Sequence, residues 1–411
     1  MLFTKEITKI SYQDVVEFCS QRVSESINLD YKKDFPGDLE KTISAFANIM
    51  GGLIIIGVED EDSKPKLPVE GIEYQKGLRE RVNNIILNNI YPPVFPEIQV
   101  CEPVNNKTFV IIRIPESHMT PHYIRHRTQI YIRTDDVTRP EKLAPKEQIE
   151  WLMDKRKKSE EFREFLISES ENYFKGACRL SGANINDPQY FGIISLRAIP
   201  LFPKDAFCDY VDLDNIENEI GVGRRDRFPL FINRCSPIQN GIHNLTFLDL
   251  KDGEEPAGHS FQYLQVNTFG LYLYKEEIGQ FRKIEGKGKN QKSINYYSIV
   301  RLVHYFLASV SKFYQKLGFW GVLLFQLELS KTFGLIMPHP LKNRVHLWPD
   351  QEYLHIPKDE FKWERKISAS KLKEDVISFS VDILRDVAWS LGARFVNEDR
   401  IQEIIEKNFK A

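Results

Sequence analysis

An apolar run at residues 53–58 constrains this chain more than any other sequence feature, because two glycines precede it and four consecutive acids follow it. A short apolar run between a glycine turn and a charged segment is typical of a buried strand. Apolar side chains at helical spacing predict a helix over residues 39–49, with Asp38 as its N-cap. The sequence therefore predicts a helix, a tight turn and a central strand that ends in carboxylates. The later acids, Glu61 and Asp62, are better explained as a solvated loop.

A second strand is predicted at residues 27–35, where apolar and polar side chains alternate, so that Asp30 and Lys32 share one face. Nucleases of several folds use such an acid-x-lysine strand with a further acid from a neighbouring strand. Carboxylates can hold divalent ions, and a lysine stabilises charge that develops on the phosphate. Glu59 or Asp60 would supply the further acid. The alternative is that Asp30 and Lys32 form an exposed pair worth about 0.2–1 kcal/mol.

Several motifs in residues 10–155 occur together in an order that is specific as a group. They are Glu25, Leu29-Asp30-Tyr31-Lys32, Ala45-Phe46-Ala47-Asn48, Gly51-Gly52, Gly57-Val58-Glu59-Asp60, Gly71-Ile72, Pro121-His122 and Tyr131-Ile132-Arg133. With these motifs the segment resembles the Schlafen-type Alba-like (AlbA_2) domain of bacterial proteins and animal Schlafens. The rest of the chain resembles no family that we can name.

The resemblance implies a metal-dependent endoribonuclease that acts on structured, tRNA-like RNA, with a role in antiviral (phage) defence. The implied catalytic and metal-binding acids are Glu25, Asp30 and one of Glu59 or Asp60, of which we favour Asp60, with Mg²⁺ or Mn²⁺ as the cofactor and Lys32 beside them. Two departures bear on this expectation. Asp30 stands where the family usually has glutamate, and Glu25 has the wrong strand parity unless the chain bends near residues 24–26.

The distribution of charge predicts a nucleic-acid-binding surface, although the net charge is only −2. Residues 121–158 contain ten Lys or Arg against six Asp or Glu, and basic clusters of this kind attract phosphate. The predicted binding residues are Arg125, Arg127, Arg133, Lys155, Arg156, Lys157 and Lys158. The alternative for residues 155–158 is a solvated helix end. The ten basic residues include Arg139, and two further basic clusters occur at residues 224–227 and 282–292.

Length and pattern predict an α+β protein: a mixed sheet with packed helices at 1–145, a helical connector at 146–178, and a second α+β domain at 179–411. In the second domain we predict strands that include 189–199, 241–250 and 261–274, and helices at 293–318 and 370–391. No run of about 20 apolar residues predicts a membrane span. Five widely spaced cysteines without a Cys-x-x-Cys pair favour a reduced, cytoplasmic protein.

The sequence also allows two functions other than RNA cleavage. One is a non-catalytic DNA- or RNA-binding transcriptional regulator, against which the lack of a recognisable helix-turn-helix counts mildly. The other is an ATP- or nucleotide-binding sensor, against which the lack of a P-loop counts, because no Gly-Lys-Ser/Thr follows Gly51-Gly52. Only one Alba-like segment is evident in the sequence. We therefore predict a homodimer that supplies two such lobes.

Overall fold

The computed structural model describes residues 2, 5, 7–134, 140–220, 239–241, 243–251, 260–283, 290–319, 321–338, 353–393 and 396–408. The basic residues predicted at 139, at 224–227 and at 284–289 lie outside these ranges. The chain divides into two compact units, Met1–Ser159 and Glu160–Ala411. Helices account for 38% and strands for 29% of the described residues, so the predicted α+β class is confirmed.

The first unit begins with a short 3₁₀ helix, Ile7–Lys9, and continues with alternating helices and strands. In chain order these are α1 (Tyr12–Ser20), β1 (Leu29–Lys32), α2 (Leu39–Asn48), β2 (Gly51–Ile56), β3 (Asp60–Glu61), β4 (Lys64–Pro65), β5 (Ile72–Glu73), α3 (Leu78–Asn89), β6 (Ile90–Tyr91), β7 (Glu97–Val100), β8 (Lys107–Thr108), β9 (Val110–Pro115), β10 (Tyr123–Ile124), β11 (Gln129–Arg133), β12 (Glu141–Leu143) and α4 (Lys146–Leu180). The boundary between the two units falls within α4.

The central sheet of this unit has the order β1-β2-β9-β7. Strands β1 and β2 are parallel, with Leu29 opposite Leu53, whereas β9 is antiparallel to both of its neighbours. The predicted mixed sheet is therefore confirmed. Alternate residues of β2 enter two different cores: Leu53 packs with α1 on one face, and Ile54 packs with α2 and α3 on the other. Burial on both faces explains why this strand reads as a continuous apolar run.

A second sheet, of order β12-β11-β10-β6, packs against α2. Asn48, at the end of α2, joins the two elements through its side chain. Its Nδ2 donates to the carbonyl oxygens of His122 at 2.9 Å and Tyr131 at 2.8 Å, and its Oδ1 accepts from His122 N at 2.7 Å. The Asn48 amide is fully buried, so these bonds satisfy groups that water cannot reach. This explains why asparagine follows Ala45-Phe46-Ala47 in the motif.

Two local predictions in the first unit need correction. The strand predicted at residues 27–35 contains only Leu29–Lys32, because Ile27 and Asn28 form a turn. Asp38 precedes α2 as predicted, but its side chain makes no capping hydrogen bond. By contrast, the helix Tyr12–Ser20 and the strand Gln129–Arg133 have the predicted bounds.

The second unit contains a large antiparallel sheet and a buried helix. After α4 its elements are β13 (Ile193–Pro200), α5 (Tyr210–Ile220), β14 (Gln239–Gly241), β15 (Asn244–Lys251), β16 (Ser260–Asn267), β17 (Tyr272–Glu277), β18 (Gly279–Arg282), β19 (Gln291–Ile294), α6 (Tyr296–Lys316), β20 (Val322–Ser330), β21 (Ile336–Pro338), β22 (Tyr353–His355), β23 (Phe361–Ser368), α7 (Ala369–Glu374), α8 (Val376–Ser390) and α9 (Glu398–Asn408). The seven-stranded sheet has the order β14-β15-β16-β17-β13-β20-β23, and α6 packs in its main core.

Two long elements predicted in this unit are each divided in two. The strand predicted at 261–274 is a hairpin of β16 and β17, because Gly270 adopts a φ of +87° and Asn267 Oδ1 accepts from Leu271 N at 2.8 Å. The helix predicted at 370–391 is interrupted at Asp375, whose side chain accepts from Ser378 N at 2.9 Å and caps α8. At both places a hydrogen bond accepted by a polar side chain divides an element that the apolar periodicity alone predicts to be continuous.

Across the part of the chain that the structure describes, no helix combines the length and the apolar character needed to cross a membrane.

Candidate functional site

The candidate site lies where the parallel strands β1 and β2 end. Lys32 O, at the end of β1, accepts hydrogen bonds from Gly57 N at 2.7 Å and Val58 N at 3.1 Å. Because parallel strands end at the same edge of a sheet, this pairing places Lys32 beside the start of the acidic run. The edge therefore collects the lysine of β1 and the acids that follow β2.

Glu25 reaches this edge because the chain reverses direction just before β1. Ser26 and Leu29 exchange backbone hydrogen bonds of 3.1 and 3.3 Å, so the bend lies at residues 26–29, close to the position that the sequence required. Glu25 Oε1 then accepts from Tyr31 N at 2.7 Å, and Glu25 N donates to Ser63 O at 2.7 Å. These bonds hold Glu25 between β1 and the hairpin formed by β3 and β4.

Asp30 is the most buried carboxylate of the site, with 1% of its surface exposed. Its Oδ1 accepts from Arg133 Nη2 at 2.9 Å. Lys32 Nζ lies 2.6 Å from Asp30 Oδ2 and forms an ion pair with it. Asp30 and Lys32 do share a face, as the sequence predicts. They are not an exposed pair, because Asp30 lies in the interior between two cations.

Arg133 completes this cluster from β11, with 3% of its surface exposed. In addition to Asp30, its guanidinium donates to Glu141 Oε1 at 2.9 Å, Ser26 O at 3.2 Å and Leu29 O at 3.1 Å. The group also lies 4.4 Å from the centre of the Phe46 ring. The structure thus places Arg133, predicted as a phosphate contact, inside the protein. A phosphate would have to displace an existing partner to reach it.

The charges of the site influence one another. Burial raises the pKa of Glu25, and the negative charges of Asp30 and Asp60 raise it further, whereas Tyr31 N–H and Lys32 oppose the shift. Burial alone would lower the pKa of Lys32, but Asp30, Glu25 and Glu141 outweigh burial and the pKa is raised. Glu25, Asp30, Lys32 and Asp60 are therefore close enough to act as one electrostatic cluster.

Glu59 lies outside this cluster. Its carboxylate is 3.1 Å from Lys33 Nζ and 3.7 Å from Lys66 Nζ. The hydrogen bond from Lys33 is the main cause of its lowered pKa, and Lys66 contributes to it. The negative charge of Asp60, the next residue, instead contributes to the raised pKa of Glu25. Of the two acids that the sequence left open, Asp60 is the one whose charge acts on Glu25.

The predicted metal ligands do not form a ligand set as they lie. Within the described ranges, no three His, Cys, Asp or Glu side chains are arranged to hold a metal ion. The reason at Asp30 is direct: its two oxygens already face Arg133 and Lys32, which neutralise the charge that a divalent ion would need. Glu25 Oε1 is also engaged, by Tyr31 N. The dependence on Mg²⁺ or Mn²⁺ stays a prediction.

The predicted basic surface divides among several environments. Arg125 and Arg127 are exposed in the turn between β10 and β11. The side chain of Lys155 is only 8% exposed and its Nζ lies 2.7 Å from Glu116. Arg156 is half-buried, Lys157 and Lys158 are exposed, and Lys158 Nζ lies 2.7 Å from Asp154. Of the predicted basic residues, Arg125 and Arg127 are therefore the exposed ones that lie in a turn of the second sheet.

His122 is a buried group whose importance was not evident from the sequence. It is fully buried, and its Nδ1 donates to Pro92 O at 2.7 Å. Burial is the main cause that lowers its pKa from 6.5 to about 4, and Lys155 adds to the shift. In the sequence, His122 is marked by its place in the Pro121-His122 motif, and its partner Asn48 by the Ala45-Phe46-Ala47-Asn48 motif. His122 is therefore neutral in the folded protein at pH 7.

We expect His122 to make the stability of the first unit depend on pH. Because its folded pKa is lower than its unfolded pKa, its contribution is complete above pH 6.5 and is lost as the pH falls towards 4. The loss between pH 7 and 4.5 should be about 2–3 kcal/mol, measured by urea unfolding. His122→Leu should show a smaller fall, while His126→Gln, at an exposed position, should behave as wild type. An equally steep fall in His122→Leu would contradict the assignment.

Comparisons with known proteins agree with the motifs of the first unit. Residues 24–142 match the family model described as "Schlafen, AlbA_2", so the predicted resemblance is confirmed for this segment. Among solved structures, the chain is similar to the N-terminal domain of a putative ATP-dependent DNA helicase RecG-related protein from Nitrosomonas europaea. The identity is 20%, the match covers 33% of this chain and 82% of that one, and the TM-score is 0.22. No curated protein matches the chain. The family match supports a function related to nucleic acid.

Proposed function

We propose that this protein binds structured, tRNA-like RNA and cleaves it at the site formed by Glu25, Asp30, Lys32 and Asp60. The observation that carries the proposal is the convergence of these side chains at the shared end of β1 and β2, with Glu25 held there by Tyr31 N at 2.7 Å. Acids around one accessible lysine can supply two things that phosphodiester cleavage uses, a proton acceptor and a positive charge that stabilises the phosphate in the transition state. The role in antiviral defence stays a prediction from the resemblance.

The residues of the site have distinct chemical capacities. The side chain of Lys32 is 29% exposed, so its ammonium can meet a phosphate oxygen from solvent while Asp30 fixes its position. Glu25 is half-buried and has a raised pKa, which makes its carboxylate a stronger base than an exposed glutamate. Asp60 is exposed at the rim. In this arrangement Asp30 is a positioning residue, whereas Glu25 and Lys32 are the groups that would contact the substrate.

Cleavage of a labelled tRNA transcript tests this function. We expect Glu25→Gln and Asp60→Asn each to reduce the cleavage rate by about 100-fold or more. Glu25→Gln removes the proton acceptor of the site, and Asp60→Asn removes one of its negative charges. Glu61→Gln is the matched control, since Glu61 is an exposed neighbour of Asp60. Parallel reactions with Mg²⁺, with Mn²⁺ and with a chelator determine whether a metal is required. Cleavage at the wild-type rate by both site variants would overturn the assignment.

A second candidate function is non-catalytic binding of RNA or DNA. The position of Asp30 between Arg133 and Lys32 favours it, because a carboxylate neutralised by two cations is suited to a structural role. The same experiment separates the two functions. Retention of intact RNA by the wild-type protein under all metal conditions would favour binding without catalysis.

The homodimer stays a prediction, which rests on the sequence having only one evident Alba-like segment. Light scattering measures it directly, since the chain has a mass of 48.1 kDa. A mass close to that of one chain would exclude the dimer, and twice that mass would support it.

A further inference from the structure

The second sheet of the first unit has one face that is turned away from α2. The strand register places Tyr91 opposite Tyr123, and Tyr123 opposite Ile130, so these three side chains lie on one face. Their chain neighbours Ile90 and Ile124 lie on the other face and are buried. The sheet thus has an inner face that packs in the protein and an outer face on which two tyrosines are adjacent.

The outer face combines one exposed and one half-buried aromatic ring, Tyr91 and Tyr123, with cations. Tyr91 has 47% of its surface exposed, and its ring centre lies 5.6 Å from that of Tyr123 with the two planes inclined at 58°. The guanidinium of Arg125 lies 5.8 Å from the centre of the Tyr91 ring. Arg125 N donates to Asn89 O at 2.7 Å, which fixes the turn beside the rings. Arg127, in the same turn, is also exposed.

The pairing of the two tyrosines has a purely structural explanation, which accounts for only part of the arrangement. A cross-strand aromatic pair stabilises a short antiparallel ladder, and β6 and β10 have two residues each. That role needs the contact between Tyr91 and Tyr123. It does not need Tyr91 to stay half in solvent, nor an arginine over its ring. An exposed aromatic ring flanked by cations is instead the combination that binds unpaired bases and their phosphates.

We propose that the outer face of strands β10 and β6 binds single-stranded nucleic acid, with bases stacked on Tyr91 and Tyr123 and phosphates neutralised by Arg125 and Arg127. This proposal rests on the proposed function and adds the form of nucleic acid that is recognised. Bases in a duplex are stacked on one another, so only an unpaired loop or end can use these rings. For a structured RNA, the surface selects single-stranded regions.

The stacking surface can be tested independently of the cleavage site. Tyr91 lies on the outer face of the sheet, whereas Arg133, which contacts Asp30, has the opposite strand parity and faces α2. Tyr91→Phe keeps the ring and removes only the hydroxyl, and is therefore the conservative control. Tyr74 supplies a positional control, because it is a tyrosine of the same unit with 42% of its surface exposed.

The experiment measures fluorescence anisotropy of the full chain with a labelled oligothymidylate of about 12 nucleotides, which lacks the 2′-hydroxyl, and with the matching duplex. Tyr91→Ala should weaken binding of the single strand by about 5- to 150-fold, the loss of one stacked base. Tyr91→Phe and Tyr74→Ala should bind within about twofold of wild type. Thermal unfolding of each variant establishes that it is folded.

The outcomes separate the two proposals. Wild-type protein that binds neither this strand nor a tRNA transcript would overturn the proposed function. If Tyr91→Ala binds the single strand as well as Tyr91→Phe and wild type do, the stacking surface is overturned and the proposed function is left in place. A preference of wild type for the duplex would likewise overturn the stacking surface. A selective loss of single-strand binding in Tyr91→Ala, retained in Tyr91→Phe, would support it.

Discussion

Replacing Asp30 with alanine is expected to lower the free energy of unfolding of the first unit by about 3–5 kcal/mol, the cost of removing one partner from a buried ion pair. Asp30 is 1% exposed and Arg133 is 3% exposed, so the guanidinium left behind could not be solvated in its present position. If Asp30 were only the catalytic acid that the resemblance implies, Asp30→Ala would remove activity and leave the fold intact. The buried contact with Arg133 changes that expectation.

Urea unfolding of Asp30→Ala and Asp60→Ala makes the measurement. Asp60 is the matched control, because it belongs to the same electrostatic cluster but is exposed. We expect Asp60→Ala to unfold as wild type does. Asp30→Asn, which retains the shape and one acceptor, should lose less stability than Asp30→Ala. Equal stability of wild type and Asp30→Ala would contradict the anchoring role of this carboxylate.

The second large effect is expected on cleavage. Lys32→Met should reduce the rate by about 100- to 1,000-fold, because it removes the accessible positive charge that would stabilise the phosphate in the transition state. Methionine retains much of the length of the lysine side chain, so the effect is mainly one of charge. Asp30 keeps its hydrogen bond from Arg133 at 2.9 Å in this variant, so the fold should tolerate the change better than the loss of Asp30.

Lys33→Met is the matched control for this variant. Lys33 is the next residue, its side chain is 72% exposed, and its ammonium pairs with Glu59 rather than with Asp30. Single-turnover cleavage of the same transcript should therefore be slow for Lys32→Met and near the wild-type rate for Lys33→Met. Equal rates in the two variants would show that Lys32 has no specific role in the reaction. The contribution of the two lysines would then be only that of positive charge in general.

The local part of this architecture could be predicted from the sequence. The helix Tyr12–Ser20 and the strand Gln129–Arg133 have the predicted bounds because each carries a clear periodicity between polar ends. The shared face of Asp30 and Lys32 follows from strand alternation, which fixes the direction of every second side chain. The sequence predicted that Glu25 could reach Asp30 only if the chain bends just before the strand. The turn at residues 26–29 is such a bend.

The long-range part could not be predicted from the sequence. Arg133 lies 103 residues after Asp30, and local periodicity contains no information about which distant strand supplies a partner. Its position in a basic segment suggested a surface role, whereas the structure places it inside. The role of the Asn48 side chain could not be predicted for the same reason, since its partners, the backbone of His122 and Tyr131, are more than 70 residues away.

The burial of β2 on both faces has a consequence for the alignment of the sheet. A strand with one polar face resists slippage, because a shift by one residue would expose its apolar side chains. Strand β2 has no polar face, so after a shift by one residue Leu53 and Ile54 would each move from one apolar core to the other. Its glycines supply the constraint instead: a Cβ on Gly51 would lie 2.4 Å from Ile114 O, and one on Gly52 would lie 2.5 Å from the Phe46 ring. A shift by one residue that placed Leu53 at the position of Gly52 would bring a bulky side chain against Phe46, so the glycine pair fixes the alignment on which the acidic edge depends.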